Sequence, residues 1–195
     1  MQYALNTHQR CLLATLLLLL CTTATRISAH ELQDNRATLV LRDKTHVSIT
    51  VFLDYADVLH RVLAPERSIQ DFVLFYSGLP ANSFKTALDK AQDKLRQQTT
   101  ATTVEGQPAI LDRWIWPDAS EAQHILRQRA MQALVAPNDH GHSTQLEVRC
   151  ELSAPHAITT LQVVFPKAFQ RVLLVSYQPR QKWSETSGKA TAVTF

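Results

Sequence analysis

The stretch RATLVLRDKTHVSITVFLD, residues 36–54, decides the fold. It holds two alternating runs. In 36–43, Ala37, Leu39 and Leu41 fall on one side, and in 47–54, Val47, Ile49, Val51 and Leu53 do the same. A period of two belongs to a strand with one buried face. The polar link Asp43–His46 between the runs reads as a hairpin turn.

Downstream the period changes. Val58, Leu59, Val62 and Leu63 form a helical stripe that Pro65 ends, and Ser68 with Asp71 reads as a capping box for IQDFVLFYSGL, closed by Gly78. Phe84, Ala87, Leu88, Ala91 and Leu95 give a third helix over 82–98. A turn at Glu105–Gln107 and a strand ending in Trp114 and Trp116 follow. Asp118 and Glu121 then cap a helix over 119–135. After the loop APNDHGHS come strands at 144–152, 157–165 and 171–177, with a further one at ATAVTF, 190–195. The run VLLV, 172–175, is apolar on both faces, as in a central, covered strand. The order β–β–α–α–α–β–β–α–β–β–β implies an α+β domain. Its sheet is expected to be mainly antiparallel, sandwich-like if it folds on itself, with helices inserted between its halves.

Upstream, residues 1–29 read as a secretory signal peptide. Arg10 supplies the charge, CLLATLLLLLC the apolar core, and TTATRISA the small residues for cleavage. The apolar core is about half the ~20 residues needed to span a bilayer, and no later stretch is a transmembrane candidate. Cleavage after Ala29 or after Ala24 is compatible with these residues. The strand pattern beginning just beyond Ala29 favours the former and makes 30–195 a single soluble periplasmic or secreted domain. Lipidation at Cys21 is disfavoured by the bulky Leu20 before it.

Removing 1–29 takes away Arg10 and Arg26 and no acid, so 20 basic side chains fall to 18 against 17 acidic ones. A near-neutral domain lacks the basic footprint of a nucleic-acid binder. Of the three cysteines only Cys150 remains, so no internal disulfide forms. Its phase, shared with Leu146, Val148 and Leu152, predicts a buried thiol of little reactivity.

Two features point to metal chemistry. After cleavage at Ala29, the free amine and imidazole of His30 form a nitrogen chelate suited to Cu(II). In NDHGHS, 138–143, His140 and His142 are one residue apart, Gly141 permits a bend, and Asp139 can orient a ring or add an oxygen. Together His30, His140, His142 and Asp139 would make a site for Cu(II), Ni(II) or Zn(II). The plainer reading is an exposed terminus and a solvated loop. His60 and His124 lie off their helices' apolar stripes and read as surface residues, while His46 and His156 sit in turns. Trp114 and Trp116 point to one side of their strand with Ile110, either packing on the helices or anchoring a partner.

Catalytic patterns are lacking. There is no G-x-S-x-G, no H-E-x-x-H and no phosphate-binding glycine loop, and the chain has only four glycines. Asp54 and Asp57, at a strand-to-helix junction, suit capping.

The opening AHELQDNRATLVLRD, over Ala29 to about Leu41, resembles the start of the soluble N-terminal region of HupE/UreJ-type membrane proteins. There a signal peptide likewise ends in Ala-His before a strand with alternating leucines. That family is associated with nickel or cobalt transport, so the resemblance implies metal handling at the cell envelope and, at His30, a ligand position. The family's long membrane region has no counterpart in these 195 residues. Two expectations follow: an exported protein that binds or delivers a transition metal to a transport partner, or a non-catalytic accessory module that recognises an envelope protein without metal.

Overall fold

The computed structural model describes residues 35–104, 106–135 and 144–179, all within one compact unit, Gln33–Phe195. His30, Asp139, His140, His142 and the strand expected at 190–195 lie outside the described residues.

The hairpin forms as the alternation requires. Strand β1 (Asn35–Leu41) pairs antiparallel with β2 (His46–Asp54), Leu39 opposite Ile49. β2 pairs on its other side with β5 (Gln145–Ser153), Ile49 opposite Cys150. The inward set Val47, Ile49, Val51 and Leu53 is buried to 4% exposure or less, and Leu146, Val148, Cys150 and Leu152 continue the layer. Adding β4 (Ile110–Ile115) and β7 (Val172–Tyr177) gives a five-stranded sheet of order β4-β5-β2-β1-β7. A two-stranded sheet joins β3 (Thr100–Thr103) to β6 (Leu161–Val164).

Helices α1 (Tyr55–Leu63), α2 (Ile69–Ser77), α3 (Ala81–Gln98) and α4 (Ala119–Val135) contribute the other half of the core. Phe72, Phe84, Leu59, Leu88, Leu95 and Leu126 are each at 2% exposure or less. Fully burying a side chain of this size contributes roughly 1.5–3 kcal/mol. The caps are those the sequence signalled. Ser68 Oγ accepts from the Asp71 amide at 3.0 Å and donates to its carboxylate at 2.7 Å. Asp118 accepts from the Glu121 amide at 2.8 Å, and Asp54 accepts from the Asp57 amide at 3.1 Å. Asp54 also takes Arg129 of α4 at 2.8 Å, which ties the β2–α1 junction to that helix. The fold is α+β with a mainly antiparallel sheet, and helices cover one of its faces. None of the helices among the described residues is long and apolar enough to cross a membrane.

Three expectations change. β7 is not central: it lies at the sheet edge, parallel to β1 and paired to nothing else among the described strands. Its apolar residues fall on both faces because neither is fully covered there. The segment 157–165 yields only the short β6, which joins β3 rather than the main sheet. Finally, Ile110 does not share a face with the tryptophans. Asp112 stands opposite Glu151 and Ile115 opposite Arg149, so three steps along β4 match two along β5. The extra residue makes a bulge in which Arg113 adopts φ 47°, and one inserted residue reverses the phase that follows. Trp114 and Trp116 therefore turn to the helix-covered side, stacked 5.3 Å apart against the core. Ile110 stays on the other side at 65% exposure.

One buried amide joins α4 to the end of α2. Gln123, 4% exposed, donates from Nε2 to the carbonyl of Leu79 at 2.8 Å and lies 3.4 Å from those of Tyr76 and Ser77. Helix-terminal carbonyls need such donors. Gln123→Leu keeps the volume and removes the donor, so it should lower unfolding free energy by about 1–3 kcal/mol in urea denaturation, with little change in helix content.

Candidate functional site: the open face of the sheet

The strand alternation that buries Val47 to Leu53 sends Ser48, Thr50 and Phe52 to the opposite face. Arg36, Thr38 and Val40 of β1, Glu147, Arg149 and Glu151 of β5, and Leu173, Val175 and Tyr177 of β7 stand beside them in register. No helix among the described residues covers this side. Apart from Val40, these side chains are half-buried or exposed. Leu173 and Tyr177 reach 42% and 54% exposure, and Ile110 and Ile115 border the far side at 65% and 59%.

Charge alternates across the face. Arg36 lies over the Phe52 ring, 4.7 Å from its centroid, and Arg149 pairs with Glu147 along β5. That carboxylate raises the pKa of the Arg149 guanidinium. Acids and bases are interleaved, so the face carries no single-sign field for a polyanion or a cationic surface.

At one end the face sinks into a polar cleft of about 490 Å³ that includes Arg42, Asp43, His46, Ser48, Asp112 and Glu151. The hairpin turn builds its wall. Asp43 Oδ1 accepts from the amides of Thr45 at 2.7 Å and His46 at 3.0 Å, an Asx turn, and Nδ1 of His46 lies 3.0 Å away. The Thr45 amide foremost, then the His46 ring, lowers the Asp43 pKa from 3.8 to about 2. Beside it, Arg42 Nε donates to Ser48 Oγ at 2.9 Å, and that hydroxyl donates to Glu151 at 3.1 Å.

Aspartate, histidine and serine thus meet in one cleft, but their bonds do not make a nucleophile–base pair. A triad needs the hydroxyl proton aimed at the imidazole. Here Ser48 points its proton at a carboxylate, while His46 is held by Asp43. The network supplies fixed donors and acceptors and suits recognition.

The remaining sequence candidates have definite places. His60 is half-buried rather than a free surface residue, because its Nε2 lies 2.8 Å from the Arg67 carbonyl and its ring 5.2 Å from Phe72. His124 and His156 are exposed. Cys150 is buried, as its phase implied, and burial, ahead of the nearby Glu151 and Asp112 carboxylates, pushes its thiol up to about 12. Tyr55 is buried too, which raises its phenol pKa, and its hydroxyl accepts from Gln92 at 3.2 Å. No group of three or more His, Cys, Asp or Glu side chains placed to hold a metal occurs among the described residues. The proposed metal ligands themselves lie outside them. The Arg42–Ser48–Glu151 chain was not anticipated from the sequence. Ser48 and Glu151 were visible only as polar positions of their strands, and their meeting depends on the β2–β5 register.

No family model, curated protein or solved structure matches this chain.

The Asp43 turn has a checkable pH dependence. Its folded pKa lies below its unfolded value, so the stabilisation is fully present above about 4. It is lost as pH falls from there through 2. A carboxyl carbon NMR titration should place Asp43 near 2, and His46→Ala should move it back toward 3.8. A midpoint already at 3.8 in the unsubstituted chain would remove the turn as described.

Proposed function

We propose that this chain is an exported, non-catalytic binding module that recognises a protein of the cell envelope with the open face of its five-stranded sheet. The observation that carries the reading is this face: exposed aliphatic and aromatic side chains around Val175 and Tyr177 beside interleaved charges and a preorganised polar cleft. Apolar patches rimmed by polar groups mark protein interaction sites. Interleaved charge favours a protein surface over nucleic acid or lipid. The leader-like pattern of residues 1–29 supports the envelope location in this reading. The tryptophan pair is not the anchor in this reading, because both rings pack against the core.

A photoreactive amino acid introduced at Thr50, on the open face, should give a discrete crosslinked adduct in the envelope. The same probe at Lys90, on the exposed side of α3, should give none. Thr50→Arg with Val175→Glu places charge on the face and should weaken the captured interaction at least tenfold, about 1.4 kcal/mol. Equal adducts at Thr50 and Lys90 would sink the proposal.

A metal role is a second reading, favoured by the spacing of His140 and His142 in NDHGHS and by the resemblance around His30. In it, the His30 amine and imidazole, the two loop imidazoles and Asp139 bind Cu(II), Ni(II) or Zn(II) for delivery to a transport partner. A native mass spectrum of the exported protein should then begin at His30 and retain one metal ion. His140→Ala/His142→Ala should lower metal affinity at least tenfold. Affinity equal to that of the double variant would end this reading.

A further inference from the structure

Strand β7 presents an edge that the described residues leave unpaired. It is bonded to β1 alone. Leu173, Leu174, Val175 and Tyr177 along it are 42, 54, 40 and 54% exposed. Proteins blunt exposed edges with charge, proline, bulges or cover, because a flat apolar edge templates pairing with other chains. VLLVSY has no charge and no proline, and its pairing with β1 runs without a register shift. Cover is the remaining device.

On the side away from the open face, the same edge borders an apolar groove of about 420 Å³ lined in part by Leu39, Leu41, Ile158, Leu161, Val163 and Leu174. No charged side chain lines it, so its occupant is uncharged. The chain carries such a segment close by. Residues 180–195 lie outside the described residues, and within them ATAVTF, 190–195, has no charged side chain, alternates smaller with larger residues, and is as long as the six residues of β7. The intervening residues 178–189 include Gly188 and are ample to reverse the chain onto a neighbour about 4.8 Å away. Loop-closure cost grows only slowly with such a length. A tether holds the segment at roughly millimolar effective concentration, which a second copy does not match in dilute solution.

We propose that the unpaired edge of β7 and the groove beside it accept residues 190–195 of this same chain as an antiparallel sixth strand. The groove takes the larger side chains, so Thr191, Val193 and Phe195 face it alongside Ser176 and Leu174. Ala190, Ala192 and Thr194 extend the open face. The proposal is independent of what that face binds.

The test is NMR on the chain carrying its C-terminal segment. Alternate amides of β7 point away from β1. Those amides should exchange at least about tenfold more slowly than in a Val193→Pro variant, and backbone NOEs should connect 172–177 with 190–195. Amides directed at β1 should stay protected in both, which separates loss of cover from unfolding. If the variant unfolds, the NOEs of the unsubstituted chain decide alone. Rapid exchange of the outward amides in that chain overturns the proposal. So do exchange unchanged by Val193→Pro and NOEs that join β7 to a second, differently labelled copy.

Discussion

Everything in this structure depends on the pairing of β2 between β1 and β5. The two registers put Val47, Ile49, Val51 and Leu53 on one side with Leu146, Val148, Cys150 and Leu152. A slip of β2 by one residue would send Val47, Ile49, Val51 and Leu53 to the solvent side and Ser48, Thr50 and Phe52 into the core. The register is pinned at its turn by Asp43 and at its far end by Asn35. The Asn35 side chain accepts from the Asp54 amide at 2.8 Å and donates to the Phe169 carbonyl at 2.7 Å. The same alternation that builds the core leaves a second face with nothing on it among the described residues, and that face is where recognition is proposed.

The polar cleft inherits its order from these constraints. Asp43 is committed to the turn, so His46 is fixed. Ser48 is aligned with Glu151 because β2 and β5 are paired there. Asp43, Ser48 and Glu151 are hydrogen-bonded before any ligand arrives, which lowers the side-chain entropy left to lose on binding. Arg113 adds a different constraint. A non-glycine residue at positive φ is strained, and the bulge it forms sorts β4, tryptophans inward and Ile115 outward. The buried indole Nε1 groups of Trp114 and Trp116 have no hydrogen-bond partner among the described residues, so their packing is not free of cost.

Much of the fold was legible in the sequence, for local reasons. The period-two runs, the helical stripes and the caps at Asp54, Ser68 and Asp118 are contained in a few neighbouring residues, and the structure has them. What stayed hidden is non-local. VLLV suits a covered strand as well as an edge with both faces apolar, and only the strand order decides. The β4 bulge leaves no turn residue behind, since its extra position is Arg113 rather than glycine. The cleft needed the β2–β5 register. The metal candidates were legible only as a pattern of histidines, which says nothing about whether His30 approaches His140 and His142.

Hydroxyl-radical footprinting of the protein in its native envelope and after purification tests the central claim most directly. The account predicts that Phe52, Leu173, Val175 and Tyr177 are shielded in the envelope and become reactive on purification. Leu74 and Phe75, exposed on α2, should react equally in both. Unchanged reactivity across the open face, or shielding confined to α2, would contradict it.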